Sequence, residues 1–220
     1  MNAPIVAPGQ TLELTIPGPS TTLNALLSVP LTAPATGIAV VCHPHPLYGG
    51  SMTNKVVTTL GSSLQKRGFA VLRFDFRGVG KSAGTHDHGQ GETDDCVAAV
   101  AWMREYRPGL PLLLAGFSFG AYISLKAATP ARPAGLISIA PPFKYFEHEP
   151  RPPHPNCPWL ALHSTDDEVV SYDDTRRELL TYQPPPQLLT VEGCGHFFHG
   201  RLNEIQRAVS VFLDAHPMSS

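Results

Sequence analysis

Paired cysteines are absent from this sequence. Its four cysteines, at positions 42, 96, 157 and 194, include no Cys-x-x-Cys pair of the kind found in zinc and redox motifs. Scattered cysteines of this kind are typical of reduced thiols in the cytosol, because disulfides persist mainly in oxidising compartments. The expected location is therefore cytoplasmic, with no disulfide framework.

A basic surface and long apolar runs are missing as well. Lys and Arg total 16 against 18 Asp and Glu, for a net charge of -2, and no basic run or basic aromatic patch occurs. A nucleic-acid partner and an anionic membrane surface are therefore not expected. No segment has the roughly 20 apolar residues of a membrane-spanning helix, and residues 1–10 lack the basic start and apolar core of a signal peptide. The oligomeric state stays open.

The sequence does contain a regular alternation of apolar strands and amphipathic helices. With 42% hydrophobic and 15% charged residues, residues 1–220 are expected to form one domain that buries a full core without metals or disulfides. Residues 11–18 and 22–30, joined by a Pro-Gly-Pro-Ser turn at 17–20, predict an antiparallel hairpin. The remainder predicts an α/β fold with a mostly parallel central sheet flanked by helices. The predicted strands are 37–42, 70–76, 111–115, 135–139, 159–162 and 187–191, and the predicted helices are 54–67, 93–106, 121–128, 171–182 and 198–215.

The pentapeptide Gly116-Phe-Ser-Phe-Gly120 stands between an apolar strand and a helix. This order is what a nucleophile elbow requires, because a tight turn there presents a serine hydroxyl at the end of a strand. Glycines at both ends lack a Cβ, so strand and helix can approach closely while Ser118 adopts a strained backbone conformation. The amide of Phe119 would then lie at the positive end of the helix, where it can stabilise an oxyanion.

A serine hydroxyl needs a base to take its proton, and the base needs an acid to orient it. Asp166 and Asp167 follow one predicted strand, and His196 follows the last one between glycines that allow a turn. The carboxyl ends of parallel strands share one edge of the sheet. The sequence thus predicts Ser118, His196 and one of two aspartates at a common site.

The order Ser, Asp, His along the chain is that of the α/β-hydrolases, which the chain resembles from end to end. Phe74-Asp-Phe-Arg-Gly-Val-Gly-Lys-Ser82 is similar to the Asp-x-Arg-Gly-x-Gly-x-Ser turn of that superfamily. The longer His43-Pro-His-Pro-Leu-Tyr-Gly-Gly-Ser-Met52, followed by Asn54-Lys55, resembles a lidless, esterase-like bacterial branch related to the dienelactone hydrolases. That group usually has cysteine at the elbow, so Ser118 favours oxygen-ester chemistry.

The resemblance implies a cofactor-free serine esterase that cleaves small or short-chain carboxylic esters through an acyl-enzyme. Thioesterase and peptidase activity on the same residues are alternatives. Asp167 is the implied acid, because the family's loop reads His-Gly-x-x-Asp-x-Val-Val and Asp167 lies on its aspartate. Asp166 is the alternative acid, and His196 matches the histidine of the family's Gly-x-x-His loop.

The second oxyanion donor is expected in the loop after strand 37–42. Pro44 and Pro46 have no N–H and cannot donate. His45 matches the donor position of the family best, with the Leu47 amide as the alternative. The imidazole of His45 need not take part in the chemistry.

The segment from Pro141 to Pro158 contains too many prolines for a helical cap, so the site is expected to be open. Several aromatic residues lie in the loops around the serine and predict an apolar substrate pocket. Phe119 is a further candidate for this pocket, whereas Phe117 is expected in the core. The predicted pocket residues are Tyr48, Phe143, Phe146 and Phe197.

Two histidine pairs, His43-x-His45 and His86-x-His88, superficially resemble metal ligands, but neither has a third ligand at a recognisable spacing. No metal site is predicted, and His86 and His88 are expected in solvent. Asp94 and Asp95 are expected to favour the N-terminus of their helix. A metal-dependent hydrolase and a non-catalytic binding member of the fold remain the alternatives from other functional classes.

Overall fold

The computed structural model of the chain describes residues 4–19, 22–31 and 34–218. An eight-stranded sheet lies at its centre, with strand order β1-β2-β4-β3-β5-β6-β7-β8. The strands are β1 (Thr11–Pro17), β2 (Thr22–Ser28), β3 (Gly37–Cys42), β4 (Phe69–Phe74), β5 (Leu112–Phe117), β6 (Gly135–Ile139), β7 (Trp159–Ser164) and β8 (Gln187–Val191). The helices are α1 (Lys55–Lys66), α2 (Gln90–Tyr106), α3 (Phe119–Ala131), α4 (Tyr172–Leu179) and α5 (Leu202–Ala215).

The sheet changes from antiparallel to parallel along its width. β1 pairs antiparallel with β2, and β2 pairs antiparallel with β4. All later pairs, from β4–β3 to β7–β8, are parallel. The predicted mostly parallel sheet with an N-terminal antiparallel hairpin is therefore confirmed, although Ser20 of the predicted turn lies outside the described residues.

Helices cover both faces of the sheet, as the continuous apolar strands require. Side chains of α2 and α3 share one core cluster with alternate strand residues, and side chains of α1 and α5 share the other. The predicted apolar face of α5 is fully buried, and it consists of Ile205, Ala208, Val209, Phe212 and Leu213. In the described ranges, no helix combines the length and the apolar character that a bilayer crossing requires.

Two predicted helix starts are wrong because of specific local contacts. α2 begins at Gln90 rather than at 93, since the buried carboxylate of Glu92 accepts hydrogen bonds from the amides of Asp87 (2.9 Å) and Gly89 (2.8 Å). The last helix begins at Leu202 rather than at 198, because Phe198 has a φ of 54° and cannot continue a right-handed helix.

Candidate active site

Ser118 lies at the junction of β5 and α3, in a conformation that few side chains adopt. Its φ of 54° and ψ of -123° are sterically unfavourable for a residue with a Cβ. The turn is maintained by two backbone hydrogen bonds, from the Ser118 amide to the Ile139 carbonyl and from the Ala121 amide to the Ser118 carbonyl, both 2.8 Å. A strained serine at the N-terminus of a helix is the geometry expected of a nucleophile elbow.

Close backbone contact at the elbow requires both of its glycines. A Cβ on Gly120 would lie 2.4 Å from the carbonyl oxygens of Cys42 and His43, and one on Gly116 would lie 2.2 Å from the Gly120 carbonyl oxygen. These neighbours are backbone atoms and cannot rotate away. The first turn of α3 therefore packs directly against the end of β3.

We expect Gly120→Ala to lower the free energy of unfolding by about 1–3 kcal/mol, the usual effect of overpacking a rigid site. Urea unfolding followed by circular dichroism measures this change. Gly61→Ala in α1 is the matched control, because its Cβ would meet only the flexible Arg73 side chain, at 3.0 Å. Equal stability of the two variants would contradict the backbone-contact explanation.

Asp167 and His196 form a buried pair. Asp167 Oδ2 lies 2.8 Å from His196 Nδ1, and Asp167 Oδ1 accepts hydrogen bonds from the amides of Val169 (2.9 Å) and Val170 (2.7 Å). Burial acts to raise the pKa of Asp167, but the hydrogen bonds from His196 and the two amides outweigh it and lower this pKa below its ordinary value. An ionised carboxylate thus holds one nitrogen of the imidazole.

Asp166, the alternative acid, has a different environment. Its exposed carboxylate accepts hydrogen bonds from the Gly193 amide (2.8 Å) and the Thr165 hydroxyl (2.9 Å), and these contacts lower its pKa. Glu168 accepts a hydrogen bond from the His196 amide at 3.0 Å. The two carboxylates therefore orient the backbone of the histidine loop and leave the imidazole to Asp167. The contribution of Glu168 was not predicted from the sequence.

The imidazole of His196 lies beside the elbow. Its ring centroid is 4.8 Å from that of Phe117, the residue before the serine. Because Asp167 engages Nδ1, Nε2 is the nitrogen left to accept a proton. No hydrogen bond joins Ser118 Oγ to this ring in the described part of the chain; such contacts commonly tighten only when substrate binds.

Two backbone amides near the serine have no acceptor in the described part of the chain. One belongs to Phe119, at the first position of α3, where an amide has no intrahelical partner. The other belongs to His45. The amide of Leu47, the alternative donor, already donates to His45 Nδ1 at 3.2 Å. The geometry favours His45 over Leu47 as the second donor.

The side chain of His45 is held in one orientation. Because Nδ1 accepts from Leu47, Nε2 carries the hydrogen and donates to the Tyr145 hydroxyl at 2.9 Å. Burial, together with the nearby His86, lowers the pKa of His45 to about 4, so the ring is neutral at ordinary pH.

Residues of the motif at 43–52 fix the loop that contains His45. The Met52 peptide donates to Asp75 Oδ1 (2.8 Å) and accepts from Arg73 (3.0 Å). His43 Nε2 accepts from the Phe76 amide at 3.0 Å, while Nδ1 donates to the Pro44 carbonyl at 2.6 Å. Burial lowers the pKa of His43 to about 4. His43 is thus a neutral residue that joins two backbone segments by hydrogen bonds, a role that was not predicted from the sequence.

Two expectations for charged and polar residues are wrong. The side chain of His86 is only 6% exposed; its ring packs near Phe119, and Nδ1 lies 2.8 Å from Glu92 Oε1 at angles that do not allow a hydrogen bond. Asp95 is fully buried and accepts two side-chain hydrogen bonds from Arg77 (3.0 and 2.7 Å), so its role is an ion pair rather than a helix terminus. Across residues 4–19, 22–31 and 34–218, no group of three His, Cys, Asp or Glu side chains is arranged to hold a metal ion.

A cavity of about 500 Å³ opens at Ser118. Its walls come from the His45 loop, the segment after β6 and the residues leading into α4. Of the predicted aromatic residues, Tyr48 and Phe119 line it. The walls also include residues that the sequence did not predict: Pro142, Lys144, Tyr145, Glu147, Val169, Val170, Ser171, Asp174 and Thr175.

The other three predicted pocket residues do not line this cavity, which corrects the prediction for the serine cavity. Phe143 and Phe146 belong to a short 3-10 turn that directs them against Tyr122, where they line a neighbouring cavity, whereas Tyr145 of the same turn faces the serine. Phe197 is 40% exposed beside His196 and lies outside the cavity wall. Phe117 is fully buried, as expected.

Residues 34–156 match the family described as serine aminopeptidase, S33. A protein of Rickettsia prowazekii is 36% identical over 193 residues, which cover 83% of this chain and 80% of that protein. An α/β serine hydrolase without a lid from Xanthomonas campestris is 39% identical, with a TM-score of 0.87 over 99% of this chain and all of its own. An α/β serine hydrolase homologue from Coxiella burnetii is 37% identical, with a TM-score of 0.86 over 96% of this chain and 99% of its own.

Proposed function

Because the chain is an α/β serine hydrolase of the serine aminopeptidase S33 family, we propose that it is a carboxylic ester hydrolase with Ser118 as its nucleophile. The observation that carries the proposal is the Asp167–His196 pair, 2.8 Å apart, beside a strained serine at a helix N-terminus. This arrangement supplies a nucleophile, a base and an orienting acid, which is the minimum for acyl transfer.

In the proposed reaction, Ser118 Oγ attacks the ester carbonyl carbon while His196 Nε2 takes the hydroxyl proton. The carbonyl bond pair moves onto oxygen, and the amides of Phe119 and His45 donate to that oxyanion. Asp167 stabilises the imidazolium through Nδ1.

The tetrahedral intermediate then expels the alcohol, which receives the proton from His196, and an acyl-Ser118 ester remains. Water attacks this ester by the same route, with His196 as base, and releases the acid and the free serine. No cofactor enters either half of the reaction. The imidazole of His196 is held by Asp167 before substrate binds, so little reorganisation of this pair opposes the chemistry.

The cavity indicates where the acyl group binds. Its wall includes Ser118 and both residues that offer oxyanion amides, but not His196. Since the leaving alcohol takes its proton from His196, we assign the cavity to the acyl part and the solvent-exposed side near Phe197 to the alcohol. A volume of about 500 Å³ accommodates small or short-chain acyl groups.

Reaction with a fluorophosphonate tests the mechanism. We expect one label per chain, located on Ser118 by peptide mass spectrometry, with parallel loss of nitrophenyl butyrate hydrolysis. Chelator treatment is the control and should leave the hydrolysis rate unchanged. Activity lost to the chelator, or an active enzyme without a label, would favour a metal-dependent mechanism instead.

Peptidase activity is the second candidate, and the family description favours it. The carboxylate of Glu147 in the cavity wall, which forms no ion pair in the described part of the chain, would bind the ammonium group of a peptide N-terminus. Comparing an aminoacyl nitroanilide with nitrophenyl butyrate separates the two functions, because an aminopeptidase must cleave the amide efficiently.

A further inference from the structure

A second cavity, of about 360 Å³, adjoins the one that opens at Ser118. The aromatic rings of Tyr122, Phe143 and Phe146 line part of it. Lys144, Glu147 and Asp174 line both cavities, so the two cavities are neighbours with these side chains between them. A substrate longer than the serine cavity would reach the second cavity by displacing them.

The boundary between the two cavities is an ion pair. Lys144, in the 3-10 turn after β6, places Nζ 3.8 Å from Asp174 Oδ2 in α4. Lys144 is exposed over 74% of its side chain, and an exposed pair of this kind contributes little to stability. The boundary can therefore be displaced at low energetic cost.

The second cavity is polar without a large uncompensated charge. Three of its four acidic residues have basic partners: Asp174 pairs with Arg177 at 2.9 Å, Glu149 with Lys126 at 2.6 Å, and Glu178 lies 3.9 Å from Arg151. The fourth, Glu147, also lines the serine cavity. Because these charges offset one another, the cavity favours an uncharged polar group over an ion.

The hydroxyl of Tyr122 is a hydrogen-bond donor in the wall of the second cavity. The residue is 1% exposed, its ring stacks on Phe146 at 3.9 Å, and it lies in the wall of the second cavity. Its hydroxyl makes no hydrogen bond to the described part of the chain and is not among the fully buried polar atoms, so it is accessible from the cavity. Burial and the nearby carboxylate of Glu149 raise the pKa of Tyr122, so the hydroxyl remains a donor. A ligand in the second cavity can therefore accept a hydrogen bond from it.

Tyr122 also lies where an acyl group attached to Ser118 can reach it. Ser118 is the N-cap residue of α3, and Tyr122 lies in the first turn of the same helix. An acyl chain attached to Ser118 that leaves the serine cavity between Lys144 and Asp174 would enter the cavity lined by Tyr122.

We propose that the second cavity binds the distal end of an elongated acyl group that carries an uncharged hydrogen-bond acceptor, and that the Tyr122 hydroxyl donates to this acceptor. The proposal rests on the esterase function proposed above. It narrows the substrate class to esters of acids with a polar distal group, such as a hydroxyl.

The test compares nitrophenyl esters of butyric acid, octanoic acid and terminally hydroxylated octanoic acid. For the wild type we expect a higher kcat/KM for the hydroxylated ester than for plain octanoate. Tyr122→Phe should reduce the ratio of these two values about threefold to tenfold, the range of one neutral hydrogen bond. Thermal unfolding confirms that the variant is folded.

Lys144→Ala gives an independent readout. Shortening this side chain widens the junction and should raise the ratio of kcat/KM for octanoate to that for butyrate severalfold. Lys81→Ala is the matched control, since Lys81 is equally exposed (74%) and pairs with Glu13 away from both cavities. It should behave as the wild type with all three esters.

The outcomes separate this inference from the function on which it rests. If the wild type cleaves no ester of the series, both proposals are overturned. If butyrate is cleaved but Tyr122→Phe keeps the full preference for the hydroxylated ester, only the subsite proposal fails. A lower ratio in Tyr122→Phe, together with a higher octanoate ratio in Lys144→Ala, supports it.

Discussion

Replacement of Ser118 by alanine is expected to lower kcat for nitrophenyl butyrate about 10⁶-fold, the loss measured when the nucleophile of a comparable triad is removed. Alanine lacks the oxygen that forms the acyl-enzyme, so neither half of the proposed reaction can proceed. Initial rates with a large excess of the purified variant measure the residual activity. Some acceleration over water should remain, because the amides of Phe119 and His45 can still stabilise an oxyanion.

Ser124→Ala is the matched control for this experiment. Ser124 lies on the same helix, is fully buried, and donates its hydroxyl only to the Ala121 carbonyl at 2.9 Å. The variant should retain activity within a small factor of the wild type. Comparable rates for Ser118→Ala and the wild type would remove the serine mechanism.

Asp167→Asn is expected to lower kcat about 10⁴-fold, whereas Asp166→Asn should change it less than about tenfold. Asparagine at 167 can still accept from the amides of Val169 and Val170, so the loop should persist. Its NH₂ group would then face His196 Nδ1 and favour the tautomer with hydrogen on Nε2, which cannot accept the serine proton.

Asp166 is the control for Asp167, because it precedes Asp167 in the same loop. Its carboxylate contacts the Gly193 amide rather than the imidazole, and an asparagine oxygen preserves that contact. The ratio of the two variants' kcat values is therefore the informative quantity. Equal losses in the two variants would mean that the assignment of the acid to Asp167 is wrong.

The residues proposed for chemistry could be predicted from the sequence, because each lies in a short local pattern that has a steric or chemical reason. The glycines around Ser118 are necessary because backbone carbonyls lie 2.4 Å or less from any added Cβ. The prolines at 44 and 46 limited the donor amides of their loop to two candidates.

The residues that form the walls of the serine cavity were harder to predict from the sequence. Aromatic residues of the loops around the serine were expected to line it. Within one 3-10 turn, however, the side chain of Phe146 is buried, whereas the side chain of Tyr145 lines the serine cavity. The buried state of His86 likewise depends on contacts with rings from other segments. Side-chain orientations of this kind depend on packing between distant segments, and the residue type alone does not determine them.

The sequence by itself determined the alternation of strands and helices and identified Ser118 and His196 as the proposed nucleophile and base, because these follow from periodicity and from local patterns. Only the tertiary structure decided which aspartate meets His196, since that contact joins residues 29 apart and depends on β7 lying beside β8. It also decided that the Leu47 amide is occupied, and that a polar cavity lined by Tyr122 adjoins the serine cavity. Contacts between distant segments produce these features, and no local pattern encodes them.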